Sequence, residues 1–383
     1  MKSCYWNPVK IAIGRGSLSR LVEALGTRTA VLVTSHGTVE RGQIIKAILD
    51  QCGSSIVHLT DKVKVNPNFE TILSCYYDIK QYSYDLIIGI GGGSALDTAK
   101  IVALLSADAQ VENYLKAYLN DKQPLPGNLK AKPLIAIPTT SGTGSEVTPW
   151  ATVWDNKTGS KHSISSDVLY SEWALLDPKL TESLPYDTTL FSALDALSHA
   201  MEAIWNKNAS PVSDVLATGA IAISVPVLAD GFKDKYSLET TREKLQIASL
   251  LAGLAFSNTR TALAHSISYP LTGQLQVPHG LACSFTLPEV LRFNYVKYKD
   301  RVKVIQTALK CSTIDQAVDK LYEIFANTGV PHYLRKYSID ITTVAASGAV
   351  FITPDRADNN LASASEEDAV QILRSALSRL AGE

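Results

Sequence analysis

Four side chains with the spacing of metal ligands stand in two largely apolar stretches of the C-terminal half. In FSALDALSHAMEA (191–203), Asp195 and His199 are four residues apart in a helical pattern, so both leave the same helix face. In TALAHSISYPLTGQLQVPHG (261–280), His265 lies on a helix-compatible run and His279 stands in a Pro-His-Gly turn. Asp195 and His199 alone would favour a buried hydrogen bond or a core histidine. With the two further imidazoles, the set suits a divalent ion such as Fe²⁺ or Zn²⁺.

Two loops rich in glycine and hydroxyl side chains follow apolar runs in the N-terminal half. DLIIGIGGGSALDTAK (85–100) passes through glycines 91–93 and Ser94 into a helix, whose first N–H groups can bind a phosphate. IPTTSGTGSEVTPWATV (137–153) places Thr139, Thr140 and Ser145 after another run. Because ligands of open α/β sheets bind beyond the carboxyl ends of strands, the two loops predict one nucleotide-binding crevice. Chain reversal and self-capping turns stay open as alternatives, since the spaced GxGxxG fingerprint is missing.

The elements that must position these side chains change in type near residue 180. Before it, helical stretches such as SLSRLVEAL alternate with the runs TAVLVTS (29–35), SIVHL (55–59), DLIIGI (85–90) and PLIAIP (133–138). Continuous apolar runs of this length are typical of strands buried on both faces of a parallel sheet. After it, helical patterns dominate: TTLFSALDALSHAMEAIW, EKLQIASLLAGLAFSN, IDQAVDKLYEIFANTG and EEDAVQILRSALSRLAG. We therefore predict a Rossmann-like α/β, nucleotide-binding domain over residues 1–180 and an all-α, metal-binding domain over residues 181–383.

Composition excludes some classes of function. The 383 residues include 36 Lys and Arg against 37 Asp and Glu, so no basic field is present for a nucleic acid or an anionic membrane. The start, MKSCYWNPVK, lacks the apolar core of a signal peptide, and no apolar run reaches the roughly 20 residues of a membrane span. The five cysteines are scattered without a CxxC, which argues against a disulfide framework or a thiolate zinc site. We expect a cytoplasmic protein with no nucleic-acid or membrane partner.

In their order and separations, these motifs resemble the iron-containing, or group III, alcohol dehydrogenases over essentially the whole chain. The resemblance rests on NPVKIAIGRGSLSRL, GGGSALDTAK, PTTSGTGSE, DALSHAMEA and AHSISYPL followed by VPHG. It implies interconversion of alcohols and aldehydes with NAD(P)(H) and assembly into a homodimer or larger homo-oligomer. The metal ligands that it implies are Asp195, His199, His265 and His279. The cofactor-binding positions that it implies are Gly92, Gly93, Ser94, Asp97, Thr98, Thr139, Thr140, Ser145 and Val147.

Two positions leave the proton donor and the cofactor preference open. Many family members have a second histidine four residues after the third ligand, where this chain has Tyr269. A tyrosine can donate a proton, but its ordinary pKa of about 10 makes it a poor acid-base group at neutral pH, and a packing role is equally open. Ser35 follows TAVLVT, where NAD-preferring relatives often carry an aspartate that repels a 2′-phosphate. NAD(H) and NADP(H) are both expected, with a slight preference for NADH and with His36 and Arg41 as nearby basic side chains.

A guanidinium close in sequence to the third metal ligand predicts the class of substrate. Arg260 precedes His265 by five residues in SNTRTALAH, and Lys161 in TGSKHSISS offers a second positive charge. Because a guanidinium fork fits a tetrahedral oxyanion, we predict a short anionic aldehyde as substrate, unless Arg260 pairs with a carboxylate or turns to solvent. The stretches WNPVKIAIG, LVTSHGTVERG, NTRTALAHSISYPLT and PHGLACSFTLPE resemble the branch of phosphonoacetaldehyde and sulfoacetaldehyde reductases. These relatives form 2-hydroxyethylphosphonate or isethionate.

The sequence is also compatible with other functions. A general short-chain alcohol or diol dehydrogenase would share every metal and cofactor residue but show no preference for anions. A dehydroquinate-synthase-like cyclase would use metal and NAD without net consumption of NADH. A non-enzymatic scaffold has no physical reason to keep one aspartate and three histidines together.

Overall fold

The computed structural model describes residues 4–40, 42–155, 160–232, 237–346 and 348–381. By its contacts the chain divides into two units. The sheet unit comprises Asn7–Thr140 and Ser145–Ser183, and the helical unit comprises Ser141–Gly144, the chain from Leu184 onward and the N-terminal residues up to Trp6. Arg41, named above as a basic side chain near Ser35, lies outside the described residues.

The sheet unit is built on a parallel sheet. Its strands are β1 Lys10–Ile13, β2 Ala30–Ser35, β3 Ile56–Val63, β4 Leu86–Gly91, β5 Leu134–Pro138, β6 Trp150–Asp155, β7 Ser160–Ser165 and β8 Trp173–Leu176. Six strands pair in the order β1-β8-β5-β4-β2-β3, all parallel, and β6 and β7 form a separate antiparallel pair. The predicted parallel-sheet fold is therefore confirmed. Its four predicted runs are β2 to β5, whereas β1, β8 and the β6–β7 pair lie outside those predictions.

Helices cover both faces of this sheet. They are α1 Leu21–Leu25, α2 His36–Glu40, α3 Gln43–Cys52, α4 Phe69–Ile79, α5 Gly93–Leu105 and α6 Val111–Asp121. Val31 of β2 packs in one apolar core with Val102 of α5, whereas its neighbour Leu32 packs in a second core with Ile48 of α3. Because successive side chains of a strand point to opposite faces, β2 must be apolar throughout, as its sequence is.

Glycines at the end of β4 allow α5 to begin directly at the carboxyl edge of the sheet. A Cβ on Gly91 would lie 2.7 Å from the Cβ of Ala95, and the φ of Gly91 is 143°, a conformation that favours glycine. Gly92 is the N-cap of α5, and no side chain caps the helix there. The chain leaves β2 toward β3 on one side and leaves β4 toward β5 on the other. The carboxyl ends of β2 and β4 therefore form the switch point at which α/β sheets bind ligands.

The helical unit agrees with the prediction of an all-α C-terminal region. Its helices are α7 Tyr186–Ile204, α8 Pro211–Ala229, α9 Leu238–Thr259, α10 Leu263–Gly273, α11 His279–Ala282, α12 Leu287–Lys297, α13 Lys299–Ala308, α14 Ile314–Asn327, α15 Val330–Lys336, α16 Ile341–Ala346, α17 Pro354–Ala357 and α18 Glu366–Ala381. The four predicted helical patterns correspond to α7, α9, α14 and α18.

Helix α8 qualifies the prediction about apolar runs. Within the described ranges it is the helix long and apolar enough to cross a membrane, by length and composition. Core helices of globular proteins meet the same criterion, and α8 packs against α7, α9, α13 and α14. It is therefore weak evidence for a membrane span.

Candidate active site

Helix α7 places three polar side chains on one buried face. Asp195, His199 and Glu202 are spaced by four and three residues, the spacing that brings side chains together on a helix, and all three are buried. The Nε2 atom of His199 lies 3.5 Å from Oδ1 of Asp195. The Nδ1 atom of His199 lies 3.3 Å from the carbonyl oxygen of Gly142, to which it donates, and Phe256 stacks on the ring with centroids 4.0 Å apart. The His199 ring is thereby fixed with Nε2 toward Asp195.

Helices α10 and α11 bring two further imidazoles to this face of α7. The Nε2 atom of His265 lies 3.5 Å from Oδ1 of Asp195, and its ring stacks on that of His199 with centroids 4.7 Å apart. The ring of His279 lies edge-on to that of His265, with centroids 5.4 Å apart. The four side chains that the sequence predicts as metal ligands thus lie in one cluster. The set whose ligand atoms are all within 4.8 Å of one another includes Asp195, His265 and His279 but not His199, which contacts Asp195.

Gly280 permits the close approach of α11 to α7. A Cβ at this position would lie 1.8 Å from the carbonyl oxygen of Phe191 and 3.2 Å from the Cβ of Asp195. Any larger residue would therefore push α11, and with it His279, away from Asp195. The glycine of the Pro-His-Gly turn is therefore needed for the close packing of α11 on α7.

Glu202, which the sequence analysis did not single out, orients His265. Its Oε2 accepts hydrogen bonds from Nδ1 of His265 at 2.6 Å and from the backbone N–H of Ala262 at 2.8 Å, and its Oε1 accepts from the backbone N–H of His265 at 3.1 Å. Burial raises the pKa of Glu202, but the charge and hydrogen bonds of His265 outweigh it and lower the pKa below its ordinary value. A carboxylate behind a histidine is the usual support of a metal-binding imidazole. The i, i+4, i+7 spacing from Asp195 is the signal that could have found it.

The cluster attracts positive charge. The Nε2 atom of His265 is buried and makes no hydrogen bond with any residue that the structure describes, although it faces Oδ1 of Asp195. Burial lowers the pKa of His265, but the buried carboxylates of Glu202 and Asp195 raise it well above its ordinary value. Burial lowers the pKa of His199 to about 4, so that ring is neutral and able to act as a ligand. Two ring nitrogens aimed at a buried carboxylate fit a divalent metal ion.

Cys283, which the sequence analysis did not connect with the metal ligands, also lies at this cluster. Its Sγ is 3.4 Å from Oδ1 of Asp195, and one ligand atom from each of Asp195, His265, His279 and Cys283 lies within 4.8 Å of the others. Burial raises the pKa of Cys283 to about 11 and so favours the neutral thiol, a weaker ligand than the thiolate. The spacing of four residues from His279 is its signal in the sequence.

The three side chains predicted to act on the substrate have different settings. Tyr269 lies beside the cluster, with its ring centroid 6.4 Å from that of His279. Arg260 is the C-cap of α9 and has an exposed side chain and a φ of 67°, while its carbonyl oxygen accepts a hydrogen bond from Asn206. Lys161 lies on β7 in the sheet unit, with Nζ 5.9 Å from the ring centroid of Trp154. Within the helical unit, Tyr269 is therefore near the predicted ligands, and the Arg260 side chain turns to solvent.

The predicted nucleotide-binding residues gather at one edge of the sheet unit. Ser35 ends β2, Gly92 to Ser94 open α5 after β4, and Thr139 and Thr140 follow β5. The strands β2, β4 and β5 are neighbours, so their carboxyl ends share one edge. Because no side chain caps the N-terminus of α5, its first N–H groups are suited to a phosphate.

Asp97 and Thr98 stabilise this edge from within α5. Asp97 accepts hydrogen bonds from Oγ of Ser145 at 2.6 Å and from the backbone N–H of Thr152 at 2.9 Å. Thr98 is buried and donates to the carbonyl oxygen of Ser94 at 2.8 Å. Val147 is buried, and its carbonyl oxygen accepts from Asn7 at 2.8 Å. Asp97 thus ties the loop at Ser145 and the start of β6 to α5.

Two buried charges in the sheet unit also escaped the sequence analysis. The Nζ atom of Lys100 donates to the carbonyl oxygens of Thr148 and Trp150, both at 2.8 Å. Burial lowers the pKa of Lys100 to about 8 and raises the pKa of Glu146 to about 7. Lys100 therefore holds the loop that follows Ser145, and its signal in the sequence is a lysine directly before the apolar run IVALL of α5.

The family of this chain follows from comparison with known proteins. Residues 8–178 match the family described as iron-containing alcohol dehydrogenase, and residues 189–377 match the C-terminal part of the Fe-containing alcohol dehydrogenase family. The chain belongs to the iron-containing alcohol dehydrogenase family and is an oxidoreductase. The resemblance seen in the sequence motifs is confirmed.

Individual relatives cover most of the chain. A sulfoacetaldehyde reductase of Bilophila wadsworthia is 31% identical, over 83% of this chain and 84% of that protein. Long-chain-alcohol dehydrogenase 1 of Geobacillus thermodenitrificans is 35% identical, over 85% of this chain and 84% of that protein. The solved structure of a sulfoacetaldehyde reductase from Bifidobacterium kashiwanohense in complex with NAD+ has a TM-score of 0.88 and 28% identity, and 99% of each chain is covered.

Proposed function

We propose that this chain catalyses the NAD(P)H-linked reduction of a short anionic aldehyde to its primary alcohol. Phosphonoacetaldehyde, reduced to 2-hydroxyethylphosphonate, and sulfoacetaldehyde, reduced to isethionate, are the proposed substrates. The observation that carries the proposal is the buried cluster of Asp195 and three histidines with Glu202 behind His265. Relatives named as sulfoacetaldehyde reductases support the anionic class of substrate. Residues 1–180 are assigned to the dinucleotide and residues 181–383 to the metal.

The residues that would hold Fe²⁺ or Zn²⁺ are Asp195, His199, His265 and His279. Such an ion polarises a carbonyl oxygen and lowers the pKa of an alcohol. Hydrogen bonds at the far ring nitrogens of His265 and His199 keep their Nε2 atoms directed at Asp195. The cluster is buried apart from His279, which excludes most water from the ligand atoms.

The dinucleotide would bind at the carboxyl edge of the sheet unit. Gly92, Gly93 and Ser94 would bind its pyrophosphate through the first N–H groups of α5. The rest of the cofactor would lie along Thr139, Thr140, Ser145 and Val147, and Asp97 and Thr98 keep this surface in place. Bound nicotinamide supplies the hydride. Ser35 brings no carboxylate against a 2′-phosphate, so both NADH and NADPH are accepted, with NADH as the working cofactor.

Tyr269 is the proposed proton donor to the nascent alcohol. Its ring neighbours His279, and its hydroxyl oxygen accepts a hydrogen bond from Nε of Arg356 at 2.8 Å. A donated hydrogen bond from a guanidinium stabilises the negative charge that this oxygen gains when it releases its proton. The phenol then recovers the proton from solvent.

The test compares rates with three aldehydes. Protein reloaded anaerobically with Fe²⁺ is given phosphonoacetaldehyde, sulfoacetaldehyde or propanal at equal concentration, and oxidation of NADH and NADPH is followed. We expect kcat/KM for one anionic aldehyde to exceed that for propanal by at least about tenfold, the effect of one charge-assisted contact. His279→Ala should abolish turnover and metal binding, and His332→Ala, an exposed histidine of α15, serves as its matched control. Similar rates with all three aldehydes would contradict the anionic substrate.

A general short-chain alcohol dehydrogenase is the second candidate. It is favoured by the 35% identity to a long-chain-alcohol dehydrogenase, whose name carries no anionic substrate. The same comparison of aldehydes decides between the two. A homodimer or larger homo-oligomer stays a prediction, which light scattering on the purified chain would test.

A further inference from the structure

The C-terminal segment 351–360 lies along α10 and brings a guanidinium to Tyr269. Ser266 of α10 donates from Oγ to the carbonyl oxygen of Phe351 at 2.8 Å and accepts from the backbone N–H of Thr353 at 2.7 Å. These bonds fix the start of α17. Arg356 on α17 then donates from Nε to the hydroxyl oxygen of Tyr269 at 2.8 Å. Arg356, which is distant in sequence, thereby contacts Tyr269, whose ring neighbours that of His279.

Arg356 is partly buried but has no carboxylate as an ion-pair partner in the part of the chain that the structure describes. Besides the bond to Tyr269, its Nη1 donates to the carbonyl oxygen of Asp355 at 3.1 Å. Arg301, also partly buried, instead makes a bidentate ion pair with Asp214, with Nη1 donating to Oδ2 at 2.6 Å and Nη2 donating to Oδ1 at 2.8 Å. The guanidinium of Arg356 is therefore not committed to a carboxylate, and its remaining N–H groups are available to an anion from outside the chain.

The place of Arg356 fits the length of the proposed substrates. Tyr269 follows His265 by one turn of α10, and its ring lies beside that of His279. In phosphonoacetaldehyde and sulfoacetaldehyde a single methylene group separates the carbonyl carbon from phosphorus or sulfur. An anion-binding group for such a molecule must therefore lie next to the groups that receive the carbonyl oxygen. Arg356 meets this condition within the helical unit, whereas the side chain of Arg260 is exposed at the end of α9.

We infer that Arg356 binds the phosphonate or sulfonate of the substrate while the carbonyl group lies at the histidine cluster. The inference rests on the proposed function and adds the residue that determines its specificity. Tyr269 occupies Nε of the guanidinium, which leaves Nη2 and the second hydrogen of Nη1 as a fork for two oxygens of the anion. Tyr269 would thus have two roles, since it orients Arg356 and lies next to the carbonyl group of the substrate.

Kinetics of Arg356→Ala in the full chain, loaded with Fe²⁺, test this assignment. Loss of a hydrogen-bonded charge pair should raise KM for the preferred anionic aldehyde by about 10- to 100-fold and raise KM for propanal far less. Arg356→Lys keeps the charge but not the fork, so its KM should fall between those of the native chain and Arg356→Ala. Arg374→Ala removes an exposed arginine of α18 and is the matched control, which should leave the ratio of the two KM values unchanged.

Binding of unreactive anions gives a readout that does not depend on turnover. Ethylphosphonate and ethanesulfonate carry the anionic group without the aldehyde, and calorimetry measures their dissociation constants with native chain and variants. We expect binding to weaken by about 10- to 100-fold in Arg356→Ala and less in Arg356→Lys. Thermal unfolding shows whether each variant is folded. If Arg356→Ala does not fold, the anion affinity of Arg356→Lys tests the assignment instead.

The outcomes separate this inference from the proposed function. A native chain that reduces propanal as well as the anionic aldehydes refutes the proposed function. A native preference for anions that survives Arg356→Ala, with unchanged binding of ethylphosphonate and ethanesulfonate, overturns the assignment of Arg356 alone. Loss of that preference in Arg260→Ala instead would return the anion to the residue that the sequence suggested.

Discussion

Replacing Glu202 by Gln tests how far the support behind His265 determines metal binding. The carboxylate accepts hydrogen bonds from three donors, two backbone N–H groups and Nδ1 of His265, and the shortest is the bond to Nδ1 at 2.6 Å. In Gln one of the two oxygens becomes an NH₂ group, which must face a donor whichever way the amide turns. His265 can relieve that conflict by moving its proton from Nδ1 to Nε2, the atom that faces Asp195 at 3.5 Å. A protonated Nε2 is no longer a ligand.

The expected magnitude follows from the bonds that change. A hydrogen bond to a charged group contributes about 1.5–3 kcal/mol and a neutral one about 0.5–1.5 kcal/mol, so removal of the charge costs roughly 1–2 kcal/mol before the donor conflict is counted. Loss of a partner behind a metal-bound histidine typically weakens metal binding by about 10- to 100-fold. The two figures agree, since a tenfold change corresponds to about 1.4 kcal/mol. We therefore expect Glu202→Gln to raise the metal dissociation constant by about 10- to 100-fold.

The assay is competition for Fe²⁺ and Zn²⁺ with a chelator of known affinity, followed by measurement of the metal retained. Glu289→Gln is the matched control, because Glu289 is a partly buried carboxylate of the helical unit that accepts a hydrogen bond from Tyr322 at 2.7 Å. Thermal unfolding in excess chelator separates loss of metal from loss of the fold. A Glu202→Gln chain that is folded and binds metal as tightly as the native chain would refute the role given to this carboxylate.

Three further predictions follow from local geometry. Gly280→Ala places a Cβ 1.8 Å from the carbonyl oxygen of Phe191, so urea titration should show a loss of about 1–3 kcal/mol in unfolding free energy. Gly127→Ala is the control, because its Cβ meets nothing within 4 Å. Equal stability of the two variants would contradict this reasoning. Burial raises the pKa of Glu146 from 4.5 to about 7, so its contribution to stability is complete below pH 4.5 and is lost as pH rises through 7. The difference in unfolding free energy between native chain and Glu146→Gln should therefore change by about 3 kcal/mol across that interval, and parallel pH profiles would show that Glu146 titrates normally. Ser35→Asp should lower the ratio of kcat/KM with NADPH to kcat/KM with NADH by about tenfold or more, because the carboxylate repels the 2′-phosphate. An unchanged ratio would mean that the 2′-phosphate binds elsewhere.

The parts of the fold that could be predicted from sequence are those whose apolar residues form a continuous run or a regular stripe. β4 is apolar throughout because helices cover both of its faces, and α14 follows a regular apolar stripe. β1 and β8 span four residues each, too short for a pattern to stand out from chance. β7, SKHSIS, is mostly polar, and Thr152 interrupts the apolar residues of β6, WATVWD, so neither strand carries a continuous apolar run. Their formation depends on pairing with each other, which a single run does not reveal.

The candidate ligands could be predicted because a metal restricts both residue type and spacing, whereas their supporting groups are restricted by spacing alone. Asp195 and His199 are recognisable four residues apart, and Glu202 continues the same helix face but differs from a surface glutamate only in its burial. Cys283 is likewise one turn beyond His279, and its contact with Asp195 depends on how closely α11 approaches α7. Tertiary packing converts these ordinary residues into parts of the site.

The arginines show most clearly where nearness in sequence and nearness in space differ. Arg260 precedes His265 by five residues, yet α9 ends at Thr259, and the left-handed backbone at Arg260, with φ of 67°, accompanies an exposed side chain. The main chain of Arg260, rather than its side chain, contributes to the local structure, because its carbonyl oxygen accepts a hydrogen bond from Asn206. Arg356 is 87 residues from Tyr269 in sequence and 2.8 Å from it in space. Under the proposed function, the positive charge for a substrate anion beside His279 would therefore come from Arg356 on α17 rather than from Arg260.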